Sequence, residues 1–409
     1  MRKLVSLISV IVLVIGMLAG CGAGTAGQGA DNNGGVSSNS TVSNGTANPE
    51  QSTQAVSEDG SLESYYAKIQ PLNTPTKLRI GLTQGVLHGL PSVIPEMLGV
   101  YKKLGLNVEI LYFSNGPLMV EALASDGWDC GSYGIGGTLG GPISQNALIV
   151  GLAVEEQAGQ AIFVRRDSDI AKAGELPNSP GVYGNTDTWK GKEIYIPTGT
   201  TLQYVLGKGL KLMGLTDKDV KLTNMDAGNV NTAAHANQGD IWALWNNYAY
   251  ADDVNTKYLK AMDGNTVGAT LVASLTANPK SFNDPVKRDA IKKWEEIYFT
   301  TVDWLKSDPK NVDKFVDYYK QWDDEQGVKA EVSDLKKMVD NTPFYTLEDN
   351  YKMFTEKFSD GSMLAAEDKC RDPLDFFIEA GNYKPEDKQK FLDNKFKADL
   401  LEELYNSAK

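Results

Sequence analysis

Histidine, cysteine and arginine are nearly missing from this 409-residue chain, and each scarcity excludes something. Only two histidines occur, His88 and His235, and neither has a neighbour at metal-ligand spacing, so no metal site is expected. The nucleophile elbow G-x-S-x-G, the zinc-protease H-E-x-x-H and the phosphate loop G-x-x-x-x-G-K-[ST] are all missing, so no catalytic residue and no cofactor is expected. Gly22-Ala23-Gly24-Thr25-Ala26-Gly27 fits G-x-G-x-x-G, but no strand precedes it and the match is accidental. Beyond Arg2, arginine stands only at 79, 165, 166, 288 and 371, which argues against a ligand clamped by several guanidinium forks. Positive charge is short overall: 40 Lys and Arg face 53 Asp and Glu, a net charge of −13. Nucleic acid and anionic lipid surfaces require basic patches and are excluded as partners.

Apolar runs are scarce too, except at the start. Arg2 and Lys3 lead into an apolar run from Leu7 to Met17 whose one hydroxyl residue is Ser9, and Leu18-Ala19-Gly20-Cys21 follows. Charged region, apolar region and small-residue cleavage site make an export signal rather than a spanning helix. Leu-Ala-Gly-Cys resembles the lipobox of bacterial lipoproteins, which implies a signal peptide over 1–20, lipidation of Cys21 and an extracytoplasmic protein anchored to the membrane. An ordinary secretory signal ending near a cysteine is the alternative. Loss of Arg2 and Lys3 would leave 38 bases against 53 acids, a net charge of −15. Residues 21–61 are Gly, Ser, Asn, Thr, Ala and Gln with few large apolar side chains, the composition of a flexible tether. Cys130 and Cys370 then remain; an exported chain permits their pairing, but Cys130 in its apolar, Gly-rich setting reads as a buried free thiol.

From Lys77 the pattern alternates. Strands are expected at Lys77–Leu82, Asn107–Phe113, Ala147–Val154 and Ala161–Val164, with helices from Pro91 to Leu104 and from Pro117. The rhythm restarts at Trp189: strands at Lys192–Ile196, Val220–Asn224 and Ile241–Trp245, helices at Leu202–Met213 and Thr232–Gln238. Beyond Ser281 the chain reads as helical to its end. This predicts an α/β fold of two similar lobes, each a mostly parallel sheet flanked by helices, with a helical C-terminal region. Lobe one is expected near 76–175 plus 268–409, and lobe two near 188–267.

Three strand-to-helix turns carry the chemistry: Ser114-Asn115-Gly116-Pro117, Gly134-Ile135-Gly136-Gly137-Thr138 and Gly199-Thr200-Thr201. Each would expose the backbone N–H groups of a helix start, where the macrodipole favours negative charge. Taken singly, each such turn is better explained by glycines and threonines that cap helices, and it is the three together that point to a ligand. His88, in the loop after the first strand, is either a pocket residue or a plain loop residue. His235 reads as a surface or capping residue.

In these stretches the chain resembles the substrate-binding lipoproteins of ABC importers in the nitrate/sulfonate/taurine group, from about Leu78 to Leu401. The resemblance rests on Leu78-Arg79-Ile80-Gly81, Leu104–Glu109, Glu121–Gly131, Trp189–Ile194, Gly199-Thr200-Thr201, Gly239–Trp245 and Phe376–Gly381 in that order. It implies the two-lobed type II periplasmic-binding-protein fold. It also implies a small anionic or zwitterionic solute (sulfonate- or taurine-like) held between the lobes and delivered to an ABC permease by a monomeric, non-enzymatic protein. The residues expected at the ligand are Gln84, His88, Ser114, Asn115, Gly116, Tyr133, Gly137, Thr138, Gly199, Thr200, Thr201, Asp226, Trp245 and Asn247. Asp226 would take an ammonium if the ligand is zwitterionic. The group often has Trp-x-Pro where Trp245 is followed here by Asn246-Asn247-Tyr248, so the pocket wall differs. The Trp242, Trp245, Asn246, Asn247, Tyr248 and Tyr250 cluster either faces the ligand or packs. Another small solute (amino acid, nitrate, aromatic carboxylate) and a sensory lipoprotein acting through a partner protein are the alternatives. An enzyme on this fold would resemble the pyrimidine-synthase relatives, whose clustered cysteines are lacking here.

Overall fold

The computed structural model describes residues 60–408. The expected signal peptide, the lipidated Cys21 and nearly all of the tether lie outside the described residues. Among those described, no helix is long and apolar enough to cross a membrane. Ser61 caps a first helix over Leu62–Tyr66, its side chain accepting from the Ser64 amide.

Twelve strands follow. They are β1 (Thr76–Thr83), β2 (Leu106–Phe113), β3 (Cys130–Tyr133), β4 (Leu148–Glu155), β5 (Gln160–Arg165), a small hairpin of β6 (Glu175–Leu176) and β7 (Ser179–Tyr183), then β8 (Glu193–Ile196), β9 (Lys221–Asn224), β10 (Ile241–Trp245), β11 (Tyr258–Asp263) and β12 (Val272–Ala277). One sheet has the order β2-β1-β3-β12-β4 and the other β11-β5-β10-β8-β9. Read from opposite edges, the two orders are the same. β1 pairs in parallel with β2 and β3, as β8 does with β9 and β10. β12 is antiparallel to both of its neighbours, and so is β5. Each sheet therefore has one reversed strand, the one donated by the chain on arrival from the other lobe.

That exchange corrects the expected lobe boundary. Ala161–Val164 is a strand as expected, but it pairs with β10 and β11 in the second sheet. The chain thus crosses between β4 and β5, at residues 156–159, and returns between β11 and β12. The two crossings touch: the Glu156 amide donates to Leu271 O at 3.2 Å and the Gly264 amide to Gln157 O at 3.0 Å. Local corrections are smaller. The expected 91–104 helix breaks at Gly99, whose φ of +63° is left-handed, leaving helices Leu90–Met97 and Val100–Lys103. The helix expected from Thr232 starts earlier and spans Ala227–His235. β3, β11, β12 and the hairpin were not expected. Cys130 and Cys370 are free and buried, as expected.

Composition explains which strands are covered on both faces. β4, β10 and β12 read Leu-Ile-Val-Gly-Leu-Ala-Val-Glu, Ile-Trp-Ala-Leu-Trp and Val-Ala-Ser-Leu-Thr-Ala, nearly all buried, as strands covered on both faces must be. The longest helix, Pro285–Ser307, has Pro at its first turn, and Asp284 accepts from the Val286 and Lys287 amides. Its Ile291, Trp294, Tyr298 and Val302 make the buried stripe. Trp294 Nε1 donates to Ser92 Oγ at 3.0 Å and Tyr298 Oη to His88 O at 3.0 Å, which fixes the loop after β1. The C-terminal helices bridge to the second lobe on two flanks. Asp372 accepts from Tyr204 Oη and from Lys208 Nζ at 2.9 Å. On the other flank, Asp334 accepts from the Asp252 amide at 2.9 Å.

Candidate functional site

The carboxyl ends of β1, β2 and β3 face those of β8 and β10, the edge where open α/β sheets bind ligands. Helices leave this edge at Gly116, Ile135, Thr201 and Asn246. The three Gly-rich turns meet there, backbone against backbone. A Cβ on Gly116 would lie 2.9 Å from Gly137 N, and one on Gly136 would lie 2.2 Å from Gly199 O, across the lobes. Glycine is required at 136 because no side chain fits between two main chains at that distance.

Between the turns lies a cavity of about 30 Å³. Thr83, Val86 and His88 wall it from the end of β1 and the loop after it, Gly116, Pro117, Gly134, Gly136 and Gly137 from two helix starts, and Thr200, Thr201, Trp245 and Asn246 from the second lobe. Glu156 and Gln160 complete it from the crossing. A larger groove of about 800 Å³ shares Trp245 as a wall and is lined by Gln84, Ser114, Asp226, His235, Asn247, Tyr248 and Lys329, among others.

The expected site residues therefore divide. His88, Gly116, Gly137, Thr200, Thr201 and Trp245 line the small cavity, and Gln84, Ser114, Asp226, Asn247 and again Trp245 line the groove. The other four lie elsewhere. Asn115 caps the 116–123 helix by accepting from the Leu118 amide at 3.0 Å. Gly199 supplies the carbonyl against Gly136. Thr138 turns its hydroxyl inward, to Gly134 O and Ser274 Oγ. Tyr133 is fully buried against Trp128, beneath the helix that starts at Ile135, because the glycines at 137 and 141 leave its ring the only space there. The aromatic cluster is split as well: Trp242 packs on Tyr258 with centroids 4.4 Å apart, and Trp245 faces the cavities.

Glu156 and Gln160 were missed, and Asn246 was named only within the aromatic cluster. A pair of acids at the end of an apolar run reads as surface, and only the crossing of the lobes buries Glu156. The sole available signal was Asn246, one residue into the departure from Trp-x-Pro. Its φ is +47°, a left-handed strain at the cavity wall.

Electrostatically the site is short of cations. The ionisable groups at the small cavity are His88 and Glu156. Burial drives the His88 pKa down to about 3, so its ring is neutral, with Nδ1 2.9 Å from Ser132 Oγ. Burial drives Glu156 up to about 7, against a lowering by Thr201, whose hydroxyl donates to Oε1 at 3.4 Å.

Asp323, from the Asn311–Glu325 helix, accepts from Asn247 Nδ2 of the second lobe at 3.4 Å. Its other oxygen is buried without a partner, and burial raises its pKa to about 7, with the Asn247 contact opposing. The native protein thus holds a proton that the unfolded chain releases above about pH 4. Stability from this group is highest below that value and is lost as pH rises towards about 7. Asp323→Asn should remove the loss, raising stability at about pH 8 by an amount on the order of a few kcal/mol and leaving that at about pH 4 little changed. Urea midpoints at the two pH values check it.

No protein-family model matches the chain. A protein of Brachyspira hyodysenteriae named as an ABC transporter periplasmic binding protein is 25% identical over 313 residues, 75% of this chain and 83% of that one. A protein of Escherichia coli named as an aliphatic sulfonates-binding protein is 24% identical over 208 residues, 51% of this chain and 61% of that one. Among solved structures, the alkanesulfonate-binding protein SsuA of Xanthomonas axonopodis superposes with a TM-score of 0.57 at 16% identity, over 81% of this chain and 99% of that one. The nitrate-binding protein NrtA of Synechocystis gives 0.58 at 13%, over 83% and 90%. The chain has the fold of the type II periplasmic binding proteins, and its sequence relatives are named as binding proteins, one of them of an ABC transporter.

Proposed function

We propose that this protein is the extracytoplasmic solute-binding component of an ABC importer, that it acts by binding alone, and that a lipid on Cys21 holds it at the membrane. It captures a small organic solute between its lobes, closes by rotation about the crossings at 156–159 and 264–271, and hands the solute to a permease. One observation carries this reading: the carboxyl ends of both sheets, with their helix starts, converge on one cavity walled by both lobes. A ligand there touches both halves and so favours their approach. The helix starts suit an oxyanion such as a sulfonate, and an anionic or zwitterionic solute is the class proposed.

A thermal-shift screen of the purified protein against taurine, alkyl sulfonates, nitrate, amino acids and aromatic carboxylates tests this. A ligand of the native state at about a hundredfold its Kd adds about 2.7 kcal/mol and raises Tm. Small-angle scattering should show the same compound closing the protein. If no member raises Tm or changes the scattering, capture of these solutes is refuted. Replacing Cys21 by serine should move the exported protein from membrane to soluble fraction.

A further inference from the structure

The small cavity presents acceptors and lacks cations. Glu156 is 4% exposed, and its carboxylate, with about four lone-pair positions, has one donor, the Thr201 hydroxyl. Gln160 is 1% exposed, and its Oε1 has no partner. The two stand four residues apart on the crossing, either side of the single turn at 157–159, and both line the cavity. No lysine or arginine lines it among the described residues. Gly134 keeps the carboxylate in place, since a Cβ there would lie 2.8 Å from Glu156 Oε1.

A buried carboxylate and a buried amide oxygen facing one space, with no cation, are costly until a donor arrives. The helix starts can take an anionic end of the solute, but an anion seated on Glu156 and Gln160 themselves would meet two acceptors and no cation. We propose that the aminated end of the solute, a primary ammonium, seats on Glu156 and Gln160, so that the protein captures amine-bearing compounds and discriminates against their deaminated analogues. The inference rests on the solute-capture reading above and narrows its ligand class.

Size agrees. A cavity of about 30 Å³ holds a group no larger than a water molecule or an ammonium. The rest of the solute must leave along Trp245, the wall shared with the 800 Å³ groove. The site also couples to closure, because Glu156 rides on the crossing while Gln160, which opens β5, and Thr201 belong to the second lobe and Gly134 to the first.

Matched pairs test the inference in the intact protein: taurine against ethanesulfonate, 4-aminobutyrate against butyrate, and agmatine alone. At least one aminated probe should bind, by calorimetry, and any with a partner should do so at least about tenfold more tightly than that partner. Glu156→Gln should weaken that probe by at least about tenfold with no comparable loss for ethanesulfonate. A second readout needs no variant. Because burial holds the Glu156 pKa near about 7, an aminated probe binding at about pH 6 should expel a proton. The calorimetric enthalpy then varies with the ionisation enthalpy of the buffer. Tight binding of ethanesulfonate or butyrate with no gain from the amine overturns the inference and leaves solute capture standing. An aminated probe that binds Glu156→Gln unchanged, or without proton release, overturns it too. If no aminated probe binds, the inference falls; if the sulfonates and carboxylates also leave the protein unchanged, the capture reading falls with it.

Discussion

Gly136→Ala should raise the Kd for the captured solute about a hundredfold or more while hardly changing the Tm of the protein without solute. The added Cβ would lie 2.2 Å from Gly199 O and 3.1 Å from Thr200 Cα, both main-chain atoms of the other lobe. Neither can swing aside as a side-chain tip would, so the lobes must stand apart to accept the methyl. Residue 136 is in the first turn of its helix, and alanine is the better helix former by about 1 kcal/mol, so the first lobe alone loses nothing. The cost therefore falls on closure. A hundredfold in Kd is about 2.7 kcal/mol, well within what such an overlap imposes. Calorimetry with whichever solute the thermal screen identifies, and scattering with and without it, read the two parts separately. Unchanged affinity together with full compaction would mean that binding does not require the 134–137 and 199–201 turns to meet.

Asp129→Ala should cost about 3–5 kcal/mol of stability and leave solute affinity alone. Asp129 lies just before β3, at the end of that strand away from the cleft, and its carboxylate is nearly fully buried. It accepts from Arg79 N at 2.8 Å, Arg79 Nη2 at 2.9 Å, Lys287 Nζ at 2.9 Å and Ser281 Oγ at 2.8 Å. One side chain thus ties β1, β3 and the Pro285–Ser307 helix together. Its removal leaves two cations and a buried amide without their acceptor. Burial by itself would raise the Asp129 pKa, but the bonds from Arg79, Lys287 and Ser281 outweigh it and hold the carboxyl well below the usual range. The contribution is therefore complete above about pH 4, the unfolded value, and is lost as pH falls towards the folded one. Urea midpoints should separate wild type from Asp129→Ala widely at about pH 7 and less at about pH 2. An equal gap at both pH values would show that packing, not charge, is what Asp129 contributes.

The two variants act at opposite ends of β3, and that strand is one the sequence pattern does not announce. Cys130-Gly131-Ser132-Tyr133 is too short for a readable alternation and has glycine inside it. A Cβ on Gly131 would lie 2.0 Å from Gly81 O, so the glycine answers to the neighbouring strand and not to its own segment. Ile241–Trp245, by contrast, is legible to the residue, because five apolar residues after Gly239-Asp240 need no partner to be recognised as a buried strand.

The candidate site follows the same division. Gly116, Gly137, Thr200 and Thr201 are legible because a strand-to-helix turn carries a local signature of small and hydroxyl residues. Tyr133 and Thr138 share those stretches and yet point into the core, since their direction is set by the helix and sheet packed over them. Glu156 is the reverse case: nothing in Val154-Glu155-Glu156-Gln157 separates its role from that of Glu155. Glu155 is held at the rim by Tyr345 and Lys369, while Glu156 is buried at the cavity.

By itself, the sequence determined the alternation of strands and helices, the repeat of that rhythm in two lobes, the helical C-terminal region and the turns that meet at the cleft. These depend on periodicity and turn chemistry within about a dozen residues, where each residue's neighbours in the chain are its neighbours in space. Only the tertiary structure decided that β5 and β12 exchange sheets, that Gly136 faces Gly199, and that a glutamate and a glutamine close the cavity in place of a cation. Those outcomes depend on hydrogen-bond partners and desolvation supplied by segments from tens to hundreds of residues away, and no local pattern encodes which segment arrives.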